Sequence, residues 1–502
     1  MPCFSAIHRL LCPCGVWASR RGPCDCVLDC MQKRKQSSEA KQYGASTVTV
    51  LPEGKAPVSA KEADAVVFQP FETLIACNPL SIGSVPMILM RLPKADPVLL
   101  QSSLAKAFCV HPIFAGRVFI DPVEFRGCAK LTNQGAPFTV LTMPEPSAPE
   151  VIEESMLVKF SDLRNPGSIR RGIEPPLTVK LLMYKDGSAI LAVARSHCIA
   201  DGTYMWVFLA TWAKAARGEP LPGPVNEDRS PVDEHINQWK DLEKMNELTQ
   251  ENLGCRLEYK VGLRDLMKRL FQCMDCVFFA GKSVQTNRSR IFFSDKDLER
   301  IKQAATPASG GGWVTTQEAV SAHLLLSLAS VILPAKKETK NNPPKAAIGF
   351  FIDLRKYFGL PPDQPAGTAF TPMFCVVEDP LNKSLPQIAA ILHDYTQGIT
   401  RLVAQKAYTQ EAGGPYHKLG YENYMAMCQQ LDRYDVLLRF NNQSKRVYPD
   451  FGAAGGQPSA ALTDAGPSLL YKAKGGVDLF LHSESFRDAP PEECIRAIQT
   501  IP

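Results

Sequence analysis

The 502-residue chain has no uninterrupted run of about 18 apolar residues, so its sequence offers no membrane-spanning helix. It also lacks an excess of one charge. Lys and Arg total 56 against 51 Asp and Glu, a net charge of +5, and the basic residues form no stripe of the kind that grips nucleic acid. No G-x-S-x-G occurs, which removes the nucleophile elbow of serine hydrolases. A P-loop is missing too: before "GKS" (Gly281–Ser283) the first glycine of that pattern is replaced by Cys276. The "DFG" at Asp450 is preceded by no glycine-rich loop and no H-R-D, so it is not a kinase signature. Cys273 and Cys276 form one C-x-x-C without a second pair, so no metal site is expected. No short-period repeat is visible.

What remains is globular in composition, with 45% hydrophobic, 21% charged and 8% aromatic residues. This length predicts two or three domains. Of the 16 cysteines, Cys3, Cys12, Cys14, Cys24, Cys26 and Cys30 crowd the N-terminus. The others are scattered, as buried thiols in a reducing compartment would be. The first forty residues also carry Arg9, Arg20, Arg21, Lys33, Arg34 and Lys35, with no acid before Asp25. Three readings fit them: a poorly ordered terminus, a cleaved organelle-targeting segment, or an arm whose cysteines are lipidated or bind metal. The arm is expected to reach residue 60.

Beyond it the pattern alternates. "VPMILMRL" (Val85–Leu92) reads as a strand. Asp96 and Pro97 open a helix whose apolar face is Leu99, Leu100, Leu104 and Phe108, ending before Pro112. "AGRVFI" (Ala115–Ile120) is a strand. Leu177–Tyr184 and Ser188–His197 are apolar runs joined through Asp186-Gly187, a hairpin signal. A helix follows Gly202 and stops at Gly218. Gly218–Glu234 is proline-rich and polar, the best linker in the chain. In the second half, capping boxes at Ser294/Asp297 and Thr315/Glu318 start two helices, "AAIGFFIDLR" ends a buried strand at Asp353 and Arg355, and "GVDLFLHSES" and "PPEECIRAIQTI" supply a last strand and helix. The fold class is mixed α/β.

One stretch carries chemistry: "ARSHCIADGTYM", with His197 and Asp201 four apart and Gly202 next, at a strand-to-helix junction. With average residue usage, accident supplies such a His-x-x-x-Asp-Gly about 0.03 times in a chain like this. Two readings stand side by side. His197 is a core histidine bonded near a helix cap, or it is a base whose imidazole takes a proton near neutral pH. Asp201 caps the helix or meets a buried cation, and Gly202 lets the turn be sharp. No nucleophile accompanies them, since Cys198 points to the opposite strand face. The simplest chemistry is deprotonation of a substrate's own hydroxyl or amine.

"HCIADG" resembles the H-x-x-x-D-G motif of the BAHD acyl-CoA-dependent acyltransferases, and four further segments agree in order. "HPIFAGRV" (His111–Val118) resembles the family's YPLAGR segment. "TTQEAVSAH" (Thr315–His323) is similar to its S-T-N-D-A-L-x-A-H helix start. "IDLR" (Ile352–Arg355) looks like its D-x-R strand end, and "YPDFGAAGGQP" (Tyr448–Pro458) its DFGWGKP signature. The likeness runs from about Phe68 to the C-terminus.

The resemblance implies two similarly built mixed-sheet domains of the chloramphenicol acetyltransferase-like type with a channel between them. Residues 61–220 would form the first, 221–245 a linker and 246–502 the second. His197 and Asp201 would be the catalytic pair: His197 the general base, without an acyl-enzyme, and Asp201 turned away to pair with an arginine, for which Arg355 is the candidate. Gly202, Arg355, Asp450 and Gly452 would support the site. Thr315 and Thr316 would bind coenzyme A, with Arg288, Arg290 and Lys302 as looser cationic candidates. Acyl-CoA would be a co-substrate, with no permanent cofactor, and the partner a small alcohol or amine. A cytoplasmic monomer is expected. One segment departs from the family: after Gly452 the Trp is replaced by Ala453 and the loop is longer by about two residues, which removes a group that can hold the developing oxyanion. Backbone N–H groups of the glycine-rich loop are a substitute to test. The alternatives are a condensation-domain-like enzyme using carrier-bound acyl groups, disfavoured because Ser196 rather than a second histidine precedes His197, and a catalytically inactive binding relative.

Overall fold

The structure is a computed structural model. It describes residues 37–39, 41–68, 72–73, 87–121, 126–160, 166–229, 288–307, 313–336, 342–353, 355, 360–361, 367–404, 434–463, 468–482, 485–486 and 489–502. The expectations for residues 1–36, Cys273, Cys276 and Gly281–Ser283 lie outside these, as does the side chain of Arg288.

The strands are β1 (Ala45–Val50), β2 (Ala65–Val67), β3 (Met87–Leu92), β4 (Arg117–Asp121), β5 (Arg126–Lys130), β6 (Ala136–Thr142), β7 (Leu177–Met183), β8 (Ala189–Arg195), β9 (Arg288–Ser294), β10 (Lys345–Asp353), β11 (Phe370–Glu378), β12 (Val436–Asn442), β13 (Ala460–Thr463), β14 (Ser468–Ala473) and β15 (Gly476–His482). The helices are α1 (Pro97–Val110), α2 (Glu154–Phe160), α3 (Pro166–Arg170), α4 (Gly202–Ala216), α5 (Asp295–Ala305), α6 (Thr316–Ala335), α7 (Leu385–Ala404) and α8 (Pro491–Gln499). They build two lobes, each on a six-stranded mixed sheet. The first sheet runs β1-β6-β7-β8-β3-β13 and the second β11-β10-β12-β14-β15-β9; β2-β5-β4 form a small third sheet.

The hairpin β7–β8 forms where Asp186-Gly187 predicts it. Gly187 takes φ +84, and the Asp186 carboxylate accepts from Ser188 N at 2.8 Å. The pair is antiparallel from Leu177↔Arg195 to Met183↔Ala189. Every residue of β8 is buried, which is why its sequence is a continuous apolar run rather than an alternation. Helices α1 and α4 pack together over one face of this sheet. Asp96 caps α1 by accepting from Val98 N and Leu99 N. Leu99 itself is 40% exposed, so the buried stripe is Leu100, Leu104, Ala107 and Phe108.

In the second lobe both capping boxes are present, Ser294 with Asp297 and Thr315 with Glu318. Helix α6 is long and apolar enough to cross a membrane by length and composition, but 67% of its most apolar window is buried inside the lobe. It packs against α5, α7, α8 and the sheet. Its apolar residues reach round most of its circumference because the lobe packs around most of it.

Two expected boundaries move. The arm ends before Ala45, because β1 pairs with β6 from Ala45↔Leu141 to Val50↔Ala136; "STVTV" is β-branched at four of five positions and makes an edge strand. The second domain is not confined to its own sheet, since β13 leaves it to pair antiparallel with β3 at the edge of the first. The linker also begins packed: Val225 N donates to Val110 O at 2.8 Å, and Glu227 and Arg229 are buried.

Candidate active site

His197 stands two residues beyond β8, in a turn closed by Ile199 N donating to Ser196 O at 3.3 Å. Arg195, 1% exposed, ties the turn shut from beneath, with Nε donating to Ala200 O at 3.0 Å. The imidazole is half-buried. Its Nδ1 is buried with no hydrogen-bond partner on another described residue, and the ring bonds to the backbone carbonyl of His197 itself. The Phe370 ring lies 5.8 Å away. Burial first, and then the Arg195 charge, lower the His197 pKa to about 4, against an opposing pull from Asp201. At neutral pH the ring is therefore uncharged, the form in which a base works.

Asp201 faces away from the imidazole. Its two oxygens receive four donors: Arg355 Nη1 at 2.8 Å, Arg355 Nη2 at 2.9 Å, Tyr204 N at 3.0 Å and Ala369 N at 3.0 Å. Burial pushes its pKa up, but the Arg355 charge and these bonds prevail and hold the carboxyl below its ordinary range. The bond from Tyr204 makes Asp201 the N-cap of α4. Arg355 also donates to Asp353 Oδ1 and to Gly367 O. The turn, the helix start and Asp353, Gly367 and Ala369 of the other lobe are thus held together by one buried ion pair. Gly202 plays a smaller part than its place in the motif suggests. It is the first residue of α4, and an added Cβ there would meet open space. The turn is made by the 196–199 bond and the Asp201 cap, so no glycine freedom is needed.

Thr203 follows the motif and opens on a cleft of about 970 Å³. Its hydroxyl donates to Asp353 Oδ2 at 2.7 Å and accepts from Arg446 Nη2 at 2.8 Å. Thr315 and Thr316 line the same cleft from the start of α6, though the Thr315 hydroxyl already serves the Glu318 N–H. Lys302, Lys445 and Arg446 give it positive charge. Lys302 Nζ also sits 5.7 Å from the Trp313 ring. Arg290 is spent elsewhere, on Asp478 at 2.9 Å. His197 is not among the lining side chains; the cleft reaches it only as far as Thr203, Asp353 and Arg355. Thr203, Lys445 and Arg446 were missed in the sequence. A Lys-Arg pair just ahead of "DFG" was the signal for two of them.

Asp450 and Gly452 lie apart from this cluster. Phe451 is fully buried against Trp212 at 5.4 Å between ring centroids. Arg217 donates to Asp450 O, and Gly452, at φ +56, has Arg217 where a Cβ would stand. Several of the loop's N–H groups are committed: Gly452 N to Asp450 Oδ1 at 2.9 Å, Ala454 N to Phe451 O at 3.1 Å and Gly456 N to Gly452 O at 2.7 Å. The loop is a plug on α1 and α4. Among the described residues no three His, Cys, Asp or Glu side chains come together to hold a metal.

The model of the Transferase family matches residues 93–368, more than half of the chain. The chain belongs to this family, the BAHD acyltransferases. A relative of this BAHD chain, omega-hydroxypalmitate O-feruloyl transferase of Arabidopsis thaliana, is 36% identical over 144 residues, 26% of this chain and 29% of that protein. The chain therefore spans less than a third of that curated relative's length in the match. Among solved structures, vinorine synthase matches with a TM-score of 0.56 at 18% identity, covering 89% of this chain and 96% of that one. TRI101 of F. graminearum, complexed with coenzyme A and deoxynivalenol, matches with a TM-score of 0.58 at 17% identity, covering 84% and 96%. These likenesses establish the fold, two mixed-sheet lobes of the CoA-dependent acyltransferase type.

Proposed function

We propose that the protein transfers an acyl group from an acyl-CoA thioester to a hydroxyl or amine of a small acceptor, with His197 as general base. The observation that carries this reading is an uncharged imidazole on a turn locked by Arg195 and by the Asp201–Arg355 pair. Family membership supports it, as do the feruloyl transferase and the coenzyme A complex among the relatives. The cleft beside Thr203 has the size and the cations to receive a CoA thioester: Lys302, Lys445 and Arg446 for phosphate, Thr315 and Thr316 for hydrogen bonds.

In the step, the acceptor's O–H or N–H gives its proton to His197 Nε2 while its lone pair attacks the thioester carbonyl. The tetrahedral intermediate then collapses, the C–S bond breaks, and the imidazolium returns the proton to the leaving thiolate. Because burial and Arg195 disfavour the protonated ring, it holds that proton weakly and hands it on readily. Asp201 has no free lone pair toward the ring, so it acts by holding the turn. Placing both substrates on one imidazole lowers the barrier by several kcal/mol, ~7–11 at the limit. Buried, unbridged Cys198, Cys375 and Cys494 support a reducing, cytoplasmic setting.

The test is thiol release from a panel of acyl-CoAs with alcohol and amine acceptors. Wild type should release thiol only with an acceptor present, and without a burst of acyl-enzyme. A protein that binds coenzyme A but releases none under any pairing would be the inactive binding relative. Activity confined to carrier-bound thioesters would make it condensation-domain-like.

A further inference from the structure

In many histidine bases an acceptor on the second ring nitrogen fixes the imidazole. Here Nδ1 is buried and meets no acceptor on another described residue; the acceptor the ring has is the backbone carbonyl of His197 itself. The ring must be aimed by its backbone and by its walls. Ser196 N donates to Pro176 O at 2.7 Å, and Arg195 closes the turn on Ala200 O. The remaining hold on His197 itself comes from the other lobe. Thr368 Oγ1 donates to His197 O at 3.3 Å, and two residues later Phe370 supplies the ring wall.

Residue 368 is in turn placed by a carboxylate 296 positions earlier in the chain. Glu72, 0% exposed, accepts from Thr368 N at 2.9 Å. Its charge is met by Arg229, with Nε 3.5 Å from Glu72 Oε1 and Nη1 2.7 Å from Glu227 Oε2. Tyr204 OH, on α4, donates to Glu227 as well. Gly367 has φ +64, and a Cβ there would stand 2.1 Å from Glu72 Oε1 and 2.6 Å from Arg229 Nε. Only glycine lets the 367–369 backbone come this close. That backbone is held at three successive residues: Arg355 on Gly367 O, Glu72 on Thr368 N, and Asp201 on Ala369 N.

We infer that Thr368 and Glu72 are positioning residues for His197: the buried carboxylate seats the Thr368 backbone, and the Thr368 hydroxyl fixes the carbonyl of the base. This rests on His197 being the general base. A fully buried carboxylate is costly unless it is paired and hydrogen-bonded, and Glu72 has the Arg229 charge and the Thr368 N–H. Here it keeps residue 368 against the catalytic turn, where no side chain on Nδ1 does the aiming.

The experiment uses the full chain with Thr368→Val, Thr368→Ser and Glu72→Gln. Melting temperature, kcat, the KM for acyl-CoA and the pH profile are measured, together with NMR titration of the His197 ring, assigned by its loss in His197→Ala. Thr368→Val removes one hydroxyl at nearly constant volume. It should lower kcat about tenfold, the scale of one lost hydrogen bond, with KM changed less than about twofold. A looser wall admits water, which favours the protonated ring, so the His197 pKa and the acid limb of the rate should rise from about 4 toward the ordinary value. The other charges acting on the ring, Arg195 and Asp201, stay in place in this variant. Thr368→Ser should restore all three readings, and Glu72→Gln should move them in the direction of Thr368→Val. The inference is overturned if Thr368→Val keeps the wild-type titration, or if Thr368→Ser is as impaired as Thr368→Val. If the wild type transfers no acyl group, the proposed function fails instead, while the NMR titration still decides whether Thr368 seats the ring.

Discussion

Arg355 grips Asp201 with both ends of its guanidinium, Nη1 2.8 Å from Oδ2 and Nη2 2.9 Å from Oδ1, across 154 residues of chain and with both side chains buried. The fork matches the carboxylate edge, and two backbone N–H groups fill the lone pairs that remain. The aspartate of the motif is thus a clamp between lobes. Asp201→Ala would leave a buried guanidinium without its counter-charge and α4 without its cap. The expected loss is about 3–5 kcal/mol, read as a large fall in melting temperature. An Asp201→Ala protein that melts like wild type yet has lost activity would make Asp201 a participant in the chemistry.

His197→Ala should behave oppositely. Among the described residues no side chain bonds to the imidazole, so the variant should melt near wild type. Coenzyme A, which the cleft rather than His197 would hold, should bind unchanged by calorimetry. The rate should fall by about 10²–10⁴. Retention of more than a tenth of the wild-type rate would exclude this residue as the base.

Acid should unfold the protein through His111. It is 1% exposed, bonds Thr211 Oγ1 through Nε2 at 3.0 Å, and burial lowers its pKa to about 3. The unfolded chain binds the proton near pH 6.5 and the folded one only near 3. The stability due to the neutral ring is therefore complete above about 6.5 and lost as pH falls toward 3. The slope for one such histidine is about 1.4 kcal/mol per pH unit between those values. Denaturant titrations from pH 7 to 4 would show it, and a His111→Gln protein should lose stability less steeply.

Two changes at the glycine-containing motifs should differ sharply. Phe451→Ala empties a pocket beside Trp212 and should cost about 3–5 kcal/mol. Gly202→Ala puts a methyl into open space at a helix N-terminus and should change stability by less than about 0.5 kcal/mol. Equal melting temperatures for the two would mean that the 450–456 loop does not act as a plug.

Arg446→Met tests the cleft. Burial lowers the pKa of this guanidinium, and its side-chain bond among the described residues is to the Thr203 hydroxyl, not to a carboxylate. Asp201 and Asp353 act on its charge as well, so a phosphate entering the cleft would share it with them. The KM for acyl-CoA should rise about tenfold, the scale of one charge-assisted bond, and the wild-type KM should rise with salt. An unchanged KM would place the coenzyme elsewhere.

Much of the architecture was legible because it depends on short-range chemistry. The Asp186-Gly187 hairpin, the caps at Asp96, Ser294 and Thr315, and the strand ending in Asp353 are local patterns, and each element formed close to its expected bounds. The misreadings share a cause. β1 has only one neighbour, so its alternating, mostly exposed residues look like part of a polar arm. β13 is four residues long and owes its existence to the free edge of β3. Leu99 sits at a plausible helical phase, but the direction from which the core arrives was set by α4 and the sheet.

The residues from Ala189 to Tyr204 determined by themselves that a histidine would follow a buried strand and an aspartate would cap the next helix, because both outcomes rest on neighbours within a few bonds; the strand stops at Arg195, two residues short of the histidine. What the histidine can do was decided only on folding. Its neutrality comes from burial and Arg195, and its seat from Arg355, Thr368 and Glu72, which lie from 125 to 171 positions away. Desolvation and ion pairing act through space, and one chain of letters does not say which distant charges will share a dry interior.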